Sequence, residues 1–142
     1  MFNENLVMTG ALTVEKNGAV VHCIPNLVVT SGRNLVASRL AGAGSDITHM
    51  AVGSGATAAA AAQTALTSEI DRNGLTVSGG TAVDNTVEYA STWAAGDGSG
   101  SLTEAGLFTA SSGGTMLART VFAVVNKGVN DSITITWTIT IS

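Results

Sequence analysis

Ten residues at the end of the chain constrain it most. Ile133, Ile135, Trp137, Ile139 and Ile141 alternate strictly with Thr134, Thr136, Thr138, Thr140 and Ser142. A period of two built from β-branched and aromatic residues is the signature of a half-buried β-strand, with an apolar face on a core and a hydroxyl face turned away. Such a strand needs a sheet around it, so the C-terminus is expected within a sheet and not as a tail. Elsewhere the chain shows no catalytic constellation. The sequence reads as a rigid β-module that acts through its surface.

Composition supports an all-β reading. Of 142 residues, 45% are hydrophobic, largely Ala and Val, and only 11% are charged; glycine is abundant at 17 and proline occurs once. A disordered chain would need low hydrophobicity and high charge, and a helical bundle would be rich in Glu, Lys and Leu. Short strands joined by Gly-rich turns fit better. The expectation is one domain over residues 1–142, an antiparallel β-sandwich or jelly-roll-like fold of about eight strands. One short helix is expected near residues 31–41, and residues 1–8 are expected as an extended N-terminal arm.

Local signals place the elements. Leu6 to Val14 alternates weakly, Lys16-Asn17-Gly18 is a hairpin turn, and Ala19 to Cys23 returns. Leu27 to Val29 is a short buried segment after Pro25. Thr30 is placed as the cap of a helix running through Leu40, with Gly42 as its stop and Val36 and Leu40 on one face. Further strands are expected at Ile47 to Val52, Leu75 to Val77, Thr86 to Trp93, Gly106 to Thr109, Leu117 to Val125 and Ser132 to Ser142. Residues 54–66, with their alanine run, read as a loop with one helical turn, and Asn73-Gly74 reads as a turn.

Charge and cysteine content narrow the function classes. Ten acidic against six basic residues give a net charge of −4, without the basic patch that nucleic-acid binding requires. Low charge favours association, and contact cores are depleted in charge, so a homo-oligomer, dimer or trimer, is expected. Cys23 is alone and reads as a small buried hydrophobe. No apolar run approaches the ~18 residues that cross a membrane, and Met1 to Asn5 does not look like a signal peptide. Assembly in a reducing cytoplasm follows, with neither nucleic acid nor membrane as partner.

Individual motifs favour structure over chemistry. Gly53-Ser54-Gly55 lacks the lysine and spacing of a phosphate loop. Asp97-Gly98-Ser99-Gly100-Ser101 resembles a calcium loop only in outline, because few carboxylates are at hand. His22 and His49 sit in apolar strands without a second ligand at metal spacing, and no Gly-x-Ser-x-Gly elbow is present. Tyr89, Trp93, Phe108, Phe122 and Trp137 read as core, and only an exposed Trp93 would favour a carbohydrate platform. No catalytic, cofactor or metal residues are assigned, and enzymatic function ranks last. Glu104 beside an apolar strand needs a partner. Arg119 supplies one if the two strands pair, as an inter-strand or inter-subunit salt bridge; two separate surface charges are the equal alternative.

One set of motifs, in order along the chain, resembles a known group. It comprises Ile24-Pro25-Asn26-Leu27-Val28-Val29-Thr30, Ile47 to Gly55, Thr103-Glu104-Ala105-Gly106-Leu107-Phe108, Met116-Leu117-Ala118-Arg119, Asn126-Lys127-Gly128 and Ile133 to Ile141. Together, over about residues 24–142, these resemble small virion proteins of tailed bacteriophages. A similar Glu-x-Gly-Leu-Phe strand occurs in phage tail-fibre attachment domains. Where that group has Thr-Ala-Pro after the Gly-x-Gly loop, this chain has Ala56-Thr57-Ala58.

The resemblance implies a structural virion protein without cofactor or active site. A capsid cement or decoration protein that bridges major capsid subunits is the first expectation. A tail-fibre attachment or baseplate module, with tail proteins as partners, is the second. Gly53, Ser54 and Gly55, with Asp97 and Gly98, mark the expected contact loops, together with the N-terminal arm.

Overall fold

The computed structural model describes residues 5–142. Ten strands and one helix follow in the order β1 (Met8–Lys16), β2 (Ala19–Pro25), β3 (Leu27–Val28), α1 (Thr30–Leu40), β4 (His49–Gly53), β5 (Glu69–Gly74), β6 (Thr81–Val83), β7 (Thr86–Trp93), β8 (Gly100–Phe108), β9 (Met116–Lys127) and β10 (Ile133–Ile141). They form two five-stranded sheets, ordered β2-β1-β10-β7-β6 and β3-β9-β8-β4-β5. Every pairing is antiparallel. The fold is thus a sandwich-like all-β architecture, with ten strands where the sequence suggests eight. The added elements are short or polar strands at sheet edges.

The isoleucine strand is central. β10 lies between β1 and β7, and its register sets Trp137 opposite Leu12 and Tyr89, and Ile135 opposite Val14 and Ser91. Ile133, Ile135, Trp137 and Ile139 are buried, while the intervening threonines are partly open. From the other sheet, Met50, Val52, Leu102, Ala105, Leu107, Leu117, Phe122 and Val125 complete the same core. Ser91 is polar within this core because its Oγ donates to the Gly74 carbonyl at 3.0 Å.

The first hairpin turns where the sequence places it. Asn17 and Gly18 both have positive φ, 51° and 82°, as a two-residue turn matching strand twist requires. Cys23 is exposed and not buried. It stands opposite Thr13 in the register, while Leu12 and Val14 face the core; the period of two therefore turns Cys23 outward.

The end of the expected N-terminal arm joins the sheet. Val7 exchanges backbone hydrogen bonds with Ser142 at 2.7 and 2.9 Å, and Met8 already belongs to β1. Asn5 and Leu6 are exposed, and residues 1–4 of the expected arm lie outside the described residues.

The helix sits where the sequence suggests, but its details differ. Val29 is the N-cap and gives no side-chain cap bond, so Thr30 is the first helical residue and not the cap. The buried residues are Gly32 and Leu35; of the two expected on the packed face, Val36 is partly buried against the core and Leu40 is 84% exposed. The cause is close packing: a β-carbon on Gly32 would collide with the Leu117 carbonyl of β9. Gly42, at φ 74°, ends the helix as expected.

Two other expectations change. Residues 54–66 contain turns and no helix. Asn73-Gly74 closes β5 instead of forming a turn, and Leu75 to Val77 lies beyond that strand.

Candidate functional site

The outer face of the β3-β9-β8-β4-β5 sheet carries the most unusual chemistry in the molecule. Along β8, Ala105 and Leu107 turn into the main core, so alternation sends Glu104, Gly106 and Phe108 to the opposite face. Arg119 of β9 stands opposite Gly106, one diagonal step from Glu104. The segment between β4 and β5 folds over this face. Its Leu66 joins Val29, Ala51, Phe108 and Met116 in a second apolar cluster. Gly106 leaves the space: a β-carbon there would lie 2.9 Å from both Leu66 Cδ2 and Phe108 Cε2.

Glu104 and Arg119 meet beneath that segment, both with side chains 0% exposed. Arg119 donates to Glu104 Oε2 from Nε at 3.0 Å and from Nη2 at 2.7 Å. Its Nη1 donates to the Thr57 carbonyl and to Gln63 Oε1, each at 2.9 Å. Glu104 also accepts from the backbone amides of Gly55 at 2.9 Å, Ser68 at 2.7 Å and Thr67 at 3.1 Å. Burial pushes the Glu104 carboxyl up, but Arg119 and these amides outweigh it and hold the group below its ordinary range.

The expected salt bridge therefore forms within one chain and between neighbouring strands, and it fastens both ends of the 54–68 segment. The arrangement is a brace. The carboxylate is already surrounded by donors, so it offers no free base to a substrate.

The expected contact loops divide. Gly53 and Gly55 are buried and do not form an accessible surface. Gly53 stands opposite Glu104, and a β-carbon on it would lie 2.6 Å from Glu104 Oε1. At Gly55, a β-carbon would collide with Thr67 Oγ1. Both glycines make room for the carboxylate. Ser54 is exposed and donates to Ser68 Oγ at 3.1 Å. Asp97 and Gly98 are half-buried in the β7–β8 turn, where Asp97 Oδ2 accepts from Asn73 Nδ2 at 2.7 Å.

The other singled-out residues lie apart from the brace. His22 Nε2 donates to the Ala123 carbonyl at 2.8 Å, and His49 Nδ1 lies 2.7 Å from Thr48 Oγ1. Trp93 and Trp137 are fully buried, and Tyr89, Phe108 and Phe122 are buried with them. The condition for a carbohydrate platform at Trp93 is therefore not met. Among the described residues, no three His, Cys, Asp or Glu side chains converge in a group suited to a metal ion, and no helix is long and apolar enough to cross a membrane.

Sequence reasoning missed several residues that hold the surface loops. Arg72 grips Glu69 at 3.1 and 2.7 Å, reaches the Ala110 and Gly113 carbonyls at 3.0 and 2.8 Å, and lies 3.7 Å over the Phe108 ring. It thus joins β5 to the β8–β9 loop. Lys127, also buried, donates to the Ala94 carbonyl at 2.9 Å. No spacing rule flags either residue, because both bind carbonyls far away in sequence.

Fold and site together define a class: a two-sheet β-module with an uncharged surface loop braced by a buried ion pair. Comparison with protein families, curated proteins and solved structures finds no match to this chain.

Proposed function

We propose that this protein is a structural component of a bacteriophage virion, and specifically a capsid cement or decoration protein. The observation that carries the reading is the loop held by Glu104 and Arg119. From Ala56 to Ala62 it is Ala-Thr-Ala-Ala-Ala-Ala-Ala, without a charge, and all but Ala59 are exposed. An uncharged, small-residue surface held rigidly at both ends suits docking, because little ordering entropy remains to be lost on association. The residues that carry the resemblance to small tailed-phage virion proteins lie on the same framework, Glu104, Gly106, Phe108 and Arg119 among them.

The mechanism is thermodynamic. A protein that binds the assembled shell and not its free subunits stabilises the shell by mass action. Bridging neighbouring capsid subunits would resist outward pressure without any catalytic step.

The test is the copy number of this chain per purified virion, relative to the major capsid protein, by quantitative mass spectrometry. Comparable numbers support a lattice-wide cement. A few copies per particle would move the assignment to a tail-fibre or baseplate module, and absence from particles would overturn both.

A further inference from the structure

Each sheet of the sandwich ends in two edge strands, and an edge presents unpaired backbone N–H and C=O groups to any strand that approaches. Among the described residues, three of the four edges are guarded. β3 has two residues and β6 has three, too few to template a strand. β5 carries Glu69, Asp71 and Arg72 within six residues. Shortness and charge are the usual protections of an edge. Where β9 runs on past β3, β2 bonds to it. His22 Nε2 donates to the Ala123 carbonyl at 2.8 Å, and Thr120 Oγ1 donates to the Pro25 carbonyl at 2.9 Å.

The fourth edge is β2 itself. Its seven residues, Ala-Val-Val-His-Cys-Ile-Pro, include neither lysine nor carboxylate. Pro25, which has no N–H to offer, stands at the last position, and its carbonyl is already bound. The register with β1 slips once: Val14 faces His22 and Glu15 faces Val20, so Val21 has no opposite residue. A bulge can blunt an edge by twisting it. Here it turns two neighbouring valines outward together, Val20 at 61% and Val21 at 42% exposure. Val124 of β9 is exposed as well, and Val21 and Val124 wall one groove of about 380 Å³ with Lys16, His22 and Asn126. Lys16 is paired with Asp131 of its own chain at 3.6 Å.

We propose that β2 is the contact through which two copies of this chain form a dimer, each β2 pairing antiparallel with the partner's β2 across a two-fold axis. The chemistry of the edge selects a second copy. A two-fold axis reverses the strand, so outward N–H groups of one copy meet C=O groups of the other, and one patch serves both sides. A strand with no fixed charge can face itself, whereas a charged one would set like charges opposite each other. The exposed valines of β2 and β9 are then covered beside the pairing. The β2-β1-β10-β7-β6 sheet continues across the axis into its copy. Such a contact closes at two chains, because each β2 is occupied by the other. It therefore selects the dimer over the trimer, which low charge alone leaves open. The dimer rests on this edge and not on the virion assignment.

The experiment uses the single natural cysteine and two matched valines. Cys23 is exposed on β2. Pairing about the middle of the strand sets it opposite or diagonal to the partner's Cys23, within about 5–8 Å. A short bismaleimide should therefore join two wild-type chains covalently, and sedimentation equilibrium should give twice the chain mass of 14.2 kDa. Val20 and Val83 are each 61% exposed and lie on opposite edges of the same sheet. Val20→Lys, which adds the charge that β2 lacks, should lose both the dimer and the cross-link. Val83→Lys should keep both, with native circular dichroism in each variant. A wild-type monomer, a trimer or larger assembly, a dimer unchanged in Val20→Lys, or a dimer lost equally in Val83→Lys would each overturn the proposal. Should Val20→Lys fail to fold, the wild-type cross-link decides: a dimer whose Cys23 residues cannot be joined refutes pairing through β2.

Discussion

Removing one partner of the Glu104–Arg119 pair leaves the other charged, dry and unpaired. Glu104→Gln keeps the shape of the side chain but strands the Arg119 guanidinium among the neutral acceptors of Thr57 and Gln63. Loss of one partner from a buried pair costs about 3–5 kcal/mol, and urea unfolding at neutral pH should show a loss of that size. The pH dependence has a definite sign. Glu104 is depressed when folded, so its contribution is present above the ordinary Glu range and lost as pH falls through the depressed value. The gap between wild type and Glu104→Gln should therefore narrow in acid; a constant gap would show that the carboxylate charge is not what matters. Gly55 tests the same brace from the backbone side. An alanine β-carbon would meet Thr67 Oγ1 and come within 2.5 Å of Glu104 Oε1. Overpacking of this kind costs about 1–3 kcal/mol, and limited proteolysis of Gly55→Ala should cut first within 56–66, where the loop has been pushed from its seat.

The strands of the sandwich differ in how openly the sequence announces them, and the reason is what holds each one. β10 is held by its own apolar face, so alternation alone reveals it, and the same alternation predicts its mutational profile. Trp137→Ala, which empties a fully buried site, should cost about 3–5 kcal/mol in chemical denaturation. Thr138→Ala, one residue on and turned to the other face, should stay within about 0.5 kcal/mol. Similar losses at the two positions would contradict the register. β7 is equally legible, and its expected limits of Thr86 to Trp93 match the structure. β5 is hidden, because Glu69-Ile70-Asp71-Arg72-Asn73-Gly74 carries no apolar period. It is an edge strand secured by side-chain bonds from Arg72 and Asn73 to distant carbonyls, and no local pattern encodes those. β9 shows a subtler loss of signal: the register with β8 shifts between Leu102 and Glu104. That bulge leaves Ala123 and Val124 exposed in succession, breaking the period of two within one strand. The helix is legible from Gly42 and its faces are only half legible: Val36 packs against the core as the spacing suggests, but contact with β9 selects the small Gly32 and leaves Leu40 exposed.

At the scale of the whole molecule, the sequence conveys the framework better than the surface it supports. The sequence offers Glu104 and Arg119 as partners, on equal terms with two separate surface charges, because a carboxylate beside an apolar strand demands one. That they seize a loop is not legible, since the groups they bind are mostly backbone amides and carbonyls that every residue carries. Gly53 and Gly55 illustrate the point: they look like a flexible surface loop in sequence, yet are buried where the carboxylate needs room. What remains on the outside is the uncharged stretch from Ala56 to Ala62, and the proposed function stands on it. Ala60 and Ala62 are both exposed, so glutamate at both should leave the fold within about 0.5 kcal/mol of wild type for each change. A charge-depleted contact would respond very differently, because each buried, unpaired carboxylate must be stripped of water. Co-sedimentation with phage shells from which this protein has been stripped should show wild type binding and the Ala60→Glu, Ala62→Glu double variant released, with equal melting temperatures. Equal binding of the two would exclude this loop as the docking surface, even if the protein were abundant in the particle. The contact would then have to lie elsewhere, and the apolar cleft of about 410 Å³ beside α1, walled by Leu35, Val36, Tyr89, Ile139 and Ile141, would be the next surface to charge.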